Sequence, residues 1–109
     1  MSESKIDEIV IPKTVSKIDK GAFSNCKMLT KVGISKHSKL QAFEEKTFQS
    51  TNIQQIYIPQ NVTRICEDAF HACFNLMEVG FSKDSKLQAI KKGAFSYTMI
   101  RGMYIPSSL

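Results

Sequence analysis

At 109 residues the chain has the length of a single domain, and 42% hydrophobic with 23% charged residues is the balance of an ordinary folded protein, which excludes wholesale disorder. The net charge of +5 is spread along the sequence; it suits an acidic protein or an anionic surface and is too diffuse for a nucleic-acid footprint. Residues 1–8 lack the basic and apolar regions of a secretory signal, and no apolar run approaches the roughly 18 residues of a membrane span. Cys26, Cys66 and Cys73 are odd in number and lack Cys-x-x-Cys spacing, so neither a disulfide framework nor a zinc site is expected. These features favour an intracellular, cytoplasmic setting, although a piece of a longer cell-surface protein would read the same way.

Taken in chain order, the elements form a repeat. Strand-type segments with the pattern apolar-x-x-apolar-x-apolar start at Ile6, Leu29, Ile53, Leu76 and Ile100, spaced 23 or 24 residues apart. Between them run return segments, apolar-x-x-apolar followed by Ala/Thr-Phe: Val15/Ile18/Ala22-Phe23, Leu40/Phe43/Thr47-Phe48, Val62/Ile65/Ala69-Phe70 and Leu87/Ile90/Ala94-Phe95. Pro12, Pro59 and Pro106 recur at an interval of 47, and sliding residues 6–62 onto 53–109 gives 25 identities, so the repeats were duplicated as pairs. The expected organisation is one domain, 1–109, with repeats starting near 6, 29, 53 and 76 and a fifth strand near 100.

In Ile56-Tyr57-Ile58 the two isoleucines face one side of a strand and the tyrosine the other. The proline that follows has no N–H for a ladder, so it ends the strand and turns the chain. The single Phe of each return plugs the coil interior, and Phe23, Phe48, Phe70 and Phe95 are expected to stack as a column. One coil cannot bury its own apolar face; stacked neighbours can.

The string Ile-x-Ile-Pro-x-x-Val-x-x-Ile-x-x-x-Ala-Phe-x-x-Cys-x-x-Leu-x-x-Val, at Ile9 to Val32 and again at Ile56 to Val79, resembles the BspA-type leucine-rich repeat of bacterial and protozoan proteins. The resemblance covers residues 6–109. It implies a mostly β solenoid of the α/β repeat type: a right-handed coil of about four repeats, with a parallel sheet on the concave side and short 3₁₀ or helical turns on the convex side. It also implies protein-binding or adhesive roles.

In such a coil, partner contacts come from strand residues that point away from the core. The central column is then Val10, Gly33, Tyr57, Gly80 and Tyr104, flanked by Glu8, Lys31, Gln55, Glu78 and Gly102. Tyr57 and Tyr104 offer rings with an apolar face and a polar tip, suited to anchoring a partner; the blander alternative is that each ring merely covers its neighbouring glycines. The expected function is a protein-interaction module contacting another protein through Tyr57, Tyr104, Lys31, Gln55, Glu78 and Val10, with no cofactor. The alternative is an adhesive unit that self-associates through uncapped solenoid ends, the charged residues Glu3, Lys5, Asp7 and Glu8 guarding the first. Cys26 and Cys73 read as small buried hydrophobes. His37, His71 and the carboxylates show no convergent arrangement for catalysis, so an enzyme is not expected. The Ser-Lys loops carrying Lys36, His37 and Lys39, and again Lys83 and Lys86, read as solvated edges or as a surface for an anion.

Overall fold

Each strand, turn and return closes one coil, and four coils stack side by side in the computed structural model, which describes residues 6–109. The charged residues Glu3 and Lys5, expected to guard the first coil, lie outside the described residues. Four strands of four residues carry the repeat on one face: β1 (Glu8–Ile11), β2 (Lys31–Ile34), β4 (Gln55–Ile58) and β6 (Glu78–Phe81). Two-residue strands on the return path, β3 (Ala42–Phe43), β5 (Arg64–Ile65) and β7 (Ala89–Ile90), form a second parallel ladder in the order β3-β5-β7. All pairing is parallel, as coils wound in one direction require.

The long strands do not form one continuous sheet. β1 pairs with β2 (Glu8↔Lys31) and β4 with β6 (Gln55↔Glu78), both at an offset of 23 residues, whereas no ladder joins β2 to β4, where the offset is 24. The corner between Phe and strand is shorter by one residue before β4 (Thr51-Asn52-Ile53) than before β2 (Cys26-Lys27-Met28-Leu29). β4 is tied at that corner, where Asn52 N–H donates to Leu29 O at 3.0 Å, and diverges from β2 beyond a long bond from Gln54 N–H to Thr30 O at 3.4 Å. The fifth strand expected near 100 fails in the same way. It too follows a short corner (Thr98-Met99-Ile100) and is tied by Met99 N–H to Leu76 O at 2.9 Å, and residues 100–105 then form no strand.

The returns differ from the expected 3₁₀ or helical turns; among the described residues there is no helix. The backbone N–H groups around Phe23, Phe48 and Phe70 alternate in direction. Those of Ala22, Ser24 and Cys26 donate within the coil, three residues back, while those of Gly21, Phe23 and Asn25 donate to the next coil, at Glu45, Thr47 and Gln49 O. The same alternation runs through 46–51 and 68–73. A 3₁₀ run needs consecutive i→i−3 bonds, and surrendering every second donor to the neighbour prevents one. The alternation depends on left-handed backbone at the positions two before and two after each Phe: Gly21 and Asn25, Lys46 and Ser50, Asp68 and Ala72, Gly93 and Tyr97 all have φ between 57° and 72°.

The core follows the repeat. Phe23, Phe48, Phe70 and Phe95 stack with centroids 5.3, 5.7 and 5.3 Å apart and planes within 8° of parallel, and Phe43 tilts against both Phe48 and Phe70. Leu29, Leu40, Ile53, Ile58, Val62, Ile65, Leu76 and Leu87 complete the fully buried interior. Each such side chain contributes about 1.5–3 kcal/mol on leaving water.

Phe70→Ala, emptying the middle of the column, is expected to cost about 3–5 kcal/mol in urea unfolding, and Phe23→Ala, at a partly buried end, distinctly less. Gly93→Ala should cost more than Gly21→Ala. Both residues sit at positive φ, but a methyl at Gly93 collides with Asp68 Oδ1 and one at Gly21 meets nothing within 4 Å. Equal losses at the two glycines would show that the Asp68 carboxylate moves aside freely.

Candidate functional site

The outward positions of the strand face are set by the pleat. Ile56 and Ile58 point inward and are buried, which turns Tyr57 outward, where it remains half-buried. In the β4–β6 register Tyr57 lies opposite Gly80, and its Cδ1 is 3.7 Å from the position a Gly80 side chain would occupy. Val10 lies opposite Gly33 in the same relation, with Cγ2 at 3.4 Å, although Val10 itself is 71% exposed. In each pair, therefore, one side chain leans over a glycine backbone, as the blander reading of the tyrosines expected for Tyr57.

Where the ladder is missing, the face opens into a groove of about 370 Å³, lined by β2 (Val32, Gly33, Ile34), β4 (Gln55, Ile56, Tyr57) and, on the far side, Glu78 and Gly80 of β6. The two glycines remove side chains on both sides of Tyr57, and Gln55 and Glu78, paired in register, supply the polar lining. Lys31 stands opposite Glu8 in the β1–β2 pair. The structure thus brings Tyr57, Gln55 and Glu78 together at the groove and leaves Val10 one coil away. Tyr104 does not join them: residues 100–105 carry no strand, so Tyr104 has no register with Tyr57 and is 74% exposed. The repeated Tyr-Ile-Pro motif made the two tyrosines look equivalent; the signal that separates them is the 24-residue spacing, which marks both the gap and the absent fifth strand.

Two further surface features were not expected from the sequence. On the back of the coil, Glu67, Asp68, His71, Lys92, Ser96 and Tyr97 line a shallow cleft. His71 packs edge-on against Tyr97, and its Nδ1 is shielded from solvent without a hydrogen bond, 3.7 Å from Asp68 Oδ1. At the corner preceding the strands, Met28, Phe74, Met77 and Met99 are exposed, with Phe74 60% accessible. An asparagine pair runs beside them: Asn75 Nδ2 donates to Asn52 Oδ1 at 3.3 Å, and Asn52 Nδ2 donates to Lys27 O at 2.6 Å. Among the described residues no three His, Cys, Asp or Glu side chains are grouped to hold a metal ion, and no helix is long and apolar enough to cross a membrane.

The three cysteines are buried thiols, none of them in a disulfide with another. Cys73 Sγ donates to Phe48 O at 3.1 Å and lies 3.4 Å from Thr51 Oγ1, so the Cys and Thr of alternate repeats meet inside the turn. Burial raises the pKa of all three thiols; at Cys66 the neighbouring Glu44 carboxylate raises it further, and at Cys73 the contacts with Thr51 partly offset the rise. A thiol held protonated is a poor nucleophile.

A model of the family described as BspA type leucine rich repeat region matches residues 1–109 in six copies. No curated protein matches the chain. Among solved structures, a leucine rich cell surface protein from Faecalibacterium prausnitzii is 37% identical, with TM-score 0.67, over 74% of this chain and 20% of that one. The pneumococcal vaccine antigen PcpA is 21% identical with TM-score 0.78, over 94% of this chain and 31% of its own. A leucine-rich repeat protein from Bacteroides ovatus is 23% identical with TM-score 0.50, over 95% and 38%. The last two show likeness of fold, and this chain spans well under half the length of all three.

Iodoacetamide should label Cys26 and Cys73 slowly in the folded protein and rapidly in urea. Because folding holds the thiols above their ordinary pKa, the folded state retains protons that the unfolded chain releases. Stability should accordingly fall as pH rises past the ordinary thiol range. Urea midpoints measured up to alkaline pH, for wild type beside Cys73→Ala, check this; an identical decline in both would remove Cys73 as its source.

Proposed function

The chain belongs to the BspA-type leucine-rich-repeat family, and from that premise we propose that it is a protein-interaction module that binds a macromolecular partner along its strand face, centred on the groove between β2 and β4. The observation that carries this reading is the groove itself. Missing strand pairing and two glycines open a recess beside a half-buried aromatic ring, with Gln55 and Glu78 available for polar selection. A partner residue seated there gains area against Tyr57 and meets backbone groups that no neighbouring strand engages in a ladder. Such a recess flanked by an aromatic residue is the setting in which a few side chains supply most of the binding energy. The stacked coils are a rigid support, so little rearrangement is needed on binding.

The likeness to a leucine rich cell surface protein supports a cell-surface setting for this module, and nothing in the comparisons supports the intracellular setting favoured by the signal and cysteine reading. A second reading, adhesive self-assembly, is favoured by one observation: β6 has a ladder partner on one side only, and Tyr104 and Ile105 beyond it are exposed.

Affinity capture from extracts of the source cell separates the readings, with wild type run beside Tyr57→Ala/Glu78→Lys and beside Tyr104→Ala, and light scattering on each sample. A protein retained by wild type and by Tyr104→Ala, and bound at least about thirtyfold more weakly by the groove variant, is the expected result, equivalent to the ~2 kcal/mol of a hot spot. Equal retention by all three would remove the groove from the interface. Growth in particle size with concentration, abolished in Tyr104→Ala, would transfer the function to self-assembly.

A further inference from the structure

The charge of this protein is sorted by position in the coil. The loops that follow the long strands stack into one edge, tied by Lys39 N–H to Lys13 O at 2.9 Å and Lys86 N–H to Gln60 O at 3.0 Å. This edge carries Lys13, Lys36, Lys39, Lys83 and Lys86, all exposed, against one carboxylate, Asp84. It therefore holds four of the chain's five net positive charges; the other ten basic and nine acidic residues leave one. On the back of the coil, Lys20 pairs with Glu45 and Arg64 with Glu44, whereas none of the five edge lysines forms an ion pair among the described residues.

The loops are also held in shape. Ser35 Oγ accepts from His37 N–H, Ser38 Oγ from Leu40 N–H, Ser82 Oγ from Asp84 N–H and Ser85 Oγ from Leu87 N–H. The duplication repeats Ser-Lys-x-Ser-Lys in both units. The serines have this structural reason to recur; for the lysine side chains the fold supplies none. The two basic loops are two coils apart, about 10 Å at the usual ~4.8 Å between parallel strands, so their fields add at low salt and are largely screened from each other at physiological salt.

We propose that this edge binds a linear polysaccharide carrying sulfate or carboxylate groups, laid along the solenoid axis across the loops at 12–15, 35–39, 59–61 and 82–86. The chemistry of the edge selects this polyanion from others. It has no arginine, so it meets anions through the point charges of lysine rather than through bidentate forks. It has no Phe, Tyr or Trp ring, and His37 alone would offer an unpaired base a surface to stack on. The loops that carry the five lysines have no exposed large apolar residue for a bilayer to take up, whereas Met28, Phe74, Met77 and Met99 are exposed at the opposite corner, before the strands. Lysines on the first, second and fourth coils remain, with the uncharged Pro59-Gln60-Asn61 loop between the two pairs, an arrangement suited to a chain with spaced anionic groups.

The test is titration with heparin as the probe, beside neutral dextran, a short DNA duplex and phosphatidylserine vesicles. The variant Lys36→Glu/Lys39→Glu/Lys83→Glu/Lys86→Glu is compared with a control of equal charge change, Lys17→Glu/Lys27→Glu/Lys91→Glu/Lys92→Glu, both checked for fold by circular dichroism. The expected result is heparin binding that weakens at least tenfold as salt rises from about 50 to 300 mM. The edge variant should lose it at least tenfold, the control two- to threefold at most, and Tyr57→Ala not at all. Equal losses in the two quadruple variants would reduce the effect to net charge and overturn the proposal. Binding to duplex or vesicles as tight as to heparin would overturn the choice of polysaccharide, and no binding to heparin at low salt would overturn the whole.

Discussion

The structure depends on how the backbone divides its donors between a coil and its neighbour. Around Phe23, Phe48 and Phe70, alternate N–H groups close turns within the coil while those between them reach the next one. Neither set is sufficient alone. Without the inter-coil bonds, half the donors of the return would be buried without acceptors, at a cost of about 1–3 kcal/mol each; without the intra-coil turns, the chain could not reverse tightly enough to bring the strand back to its face. A single coil is consequently not a folding unit, and the array gains stability coil by coil through its interfaces. The Phe column is the apolar counterpart of the same arrangement: Phe23, Phe48 and Phe70 each donate their own N–H to the next coil while their rings stack beneath it.

This division also explains which parts of the molecule could be read from the sequence. The 47-residue duplication, the parallel coils and the Phe column follow from periodicity, because inward positions accept only apolar residues and so repeat. The return turns did not announce themselves, because six of the eight left-handed positions carry side chains: Asn25, Lys46, Ser50, Asp68, Ala72 and Tyr97. Glycine is the usual mark of such backbone, and only Gly21 and Gly93 supply it. At Asn25, Lys46, Ser50, Asp68 and Ala72 the left-handed residue donates its N–H to the next coil, a tertiary cause with no local signature. The second ladder was hidden for a different reason: two-residue strands such as Ala42–Phe43 are too short to show alternation.

The candidate site was half legible. The inward isoleucines of β4 fix Tyr57 as an outward residue, and register then places Gly80, Gln55 and Glu78 around it. Tyr104 shares the Tyr-Ile-Pro motif and not the environment, since the ladder that defines a strand face is absent there. Sequence identity between two repeats establishes that they share inward contacts; the outward geometry belongs to the pairing between coils. That pairing tracks the alternation of 23 and 24 residues, which was present in the sequence as a number without an evident consequence.

The same alternation bears on how a small solenoid acquires a binding surface. A leucine-rich array with every strand paired presents an even sheet, whose outward side chains must project to create relief. Here the relief comes from the backbone: a corner one residue shorter at Thr51-Asn52-Ile53 leaves β2 and β4 unpaired, and Gly33 and Gly80 keep the opening clear. Because the cause lies in the corner, its size can be altered without touching a lining residue. Lengthening that corner by one residue, to match Cys26-Lys27-Met28-Leu29, gives it the same interval from Phe to strand that precedes β2 and β6. A groove made in this way is a property of the coil junction, and so two strand faces built from the same residues can differ in whether they have one.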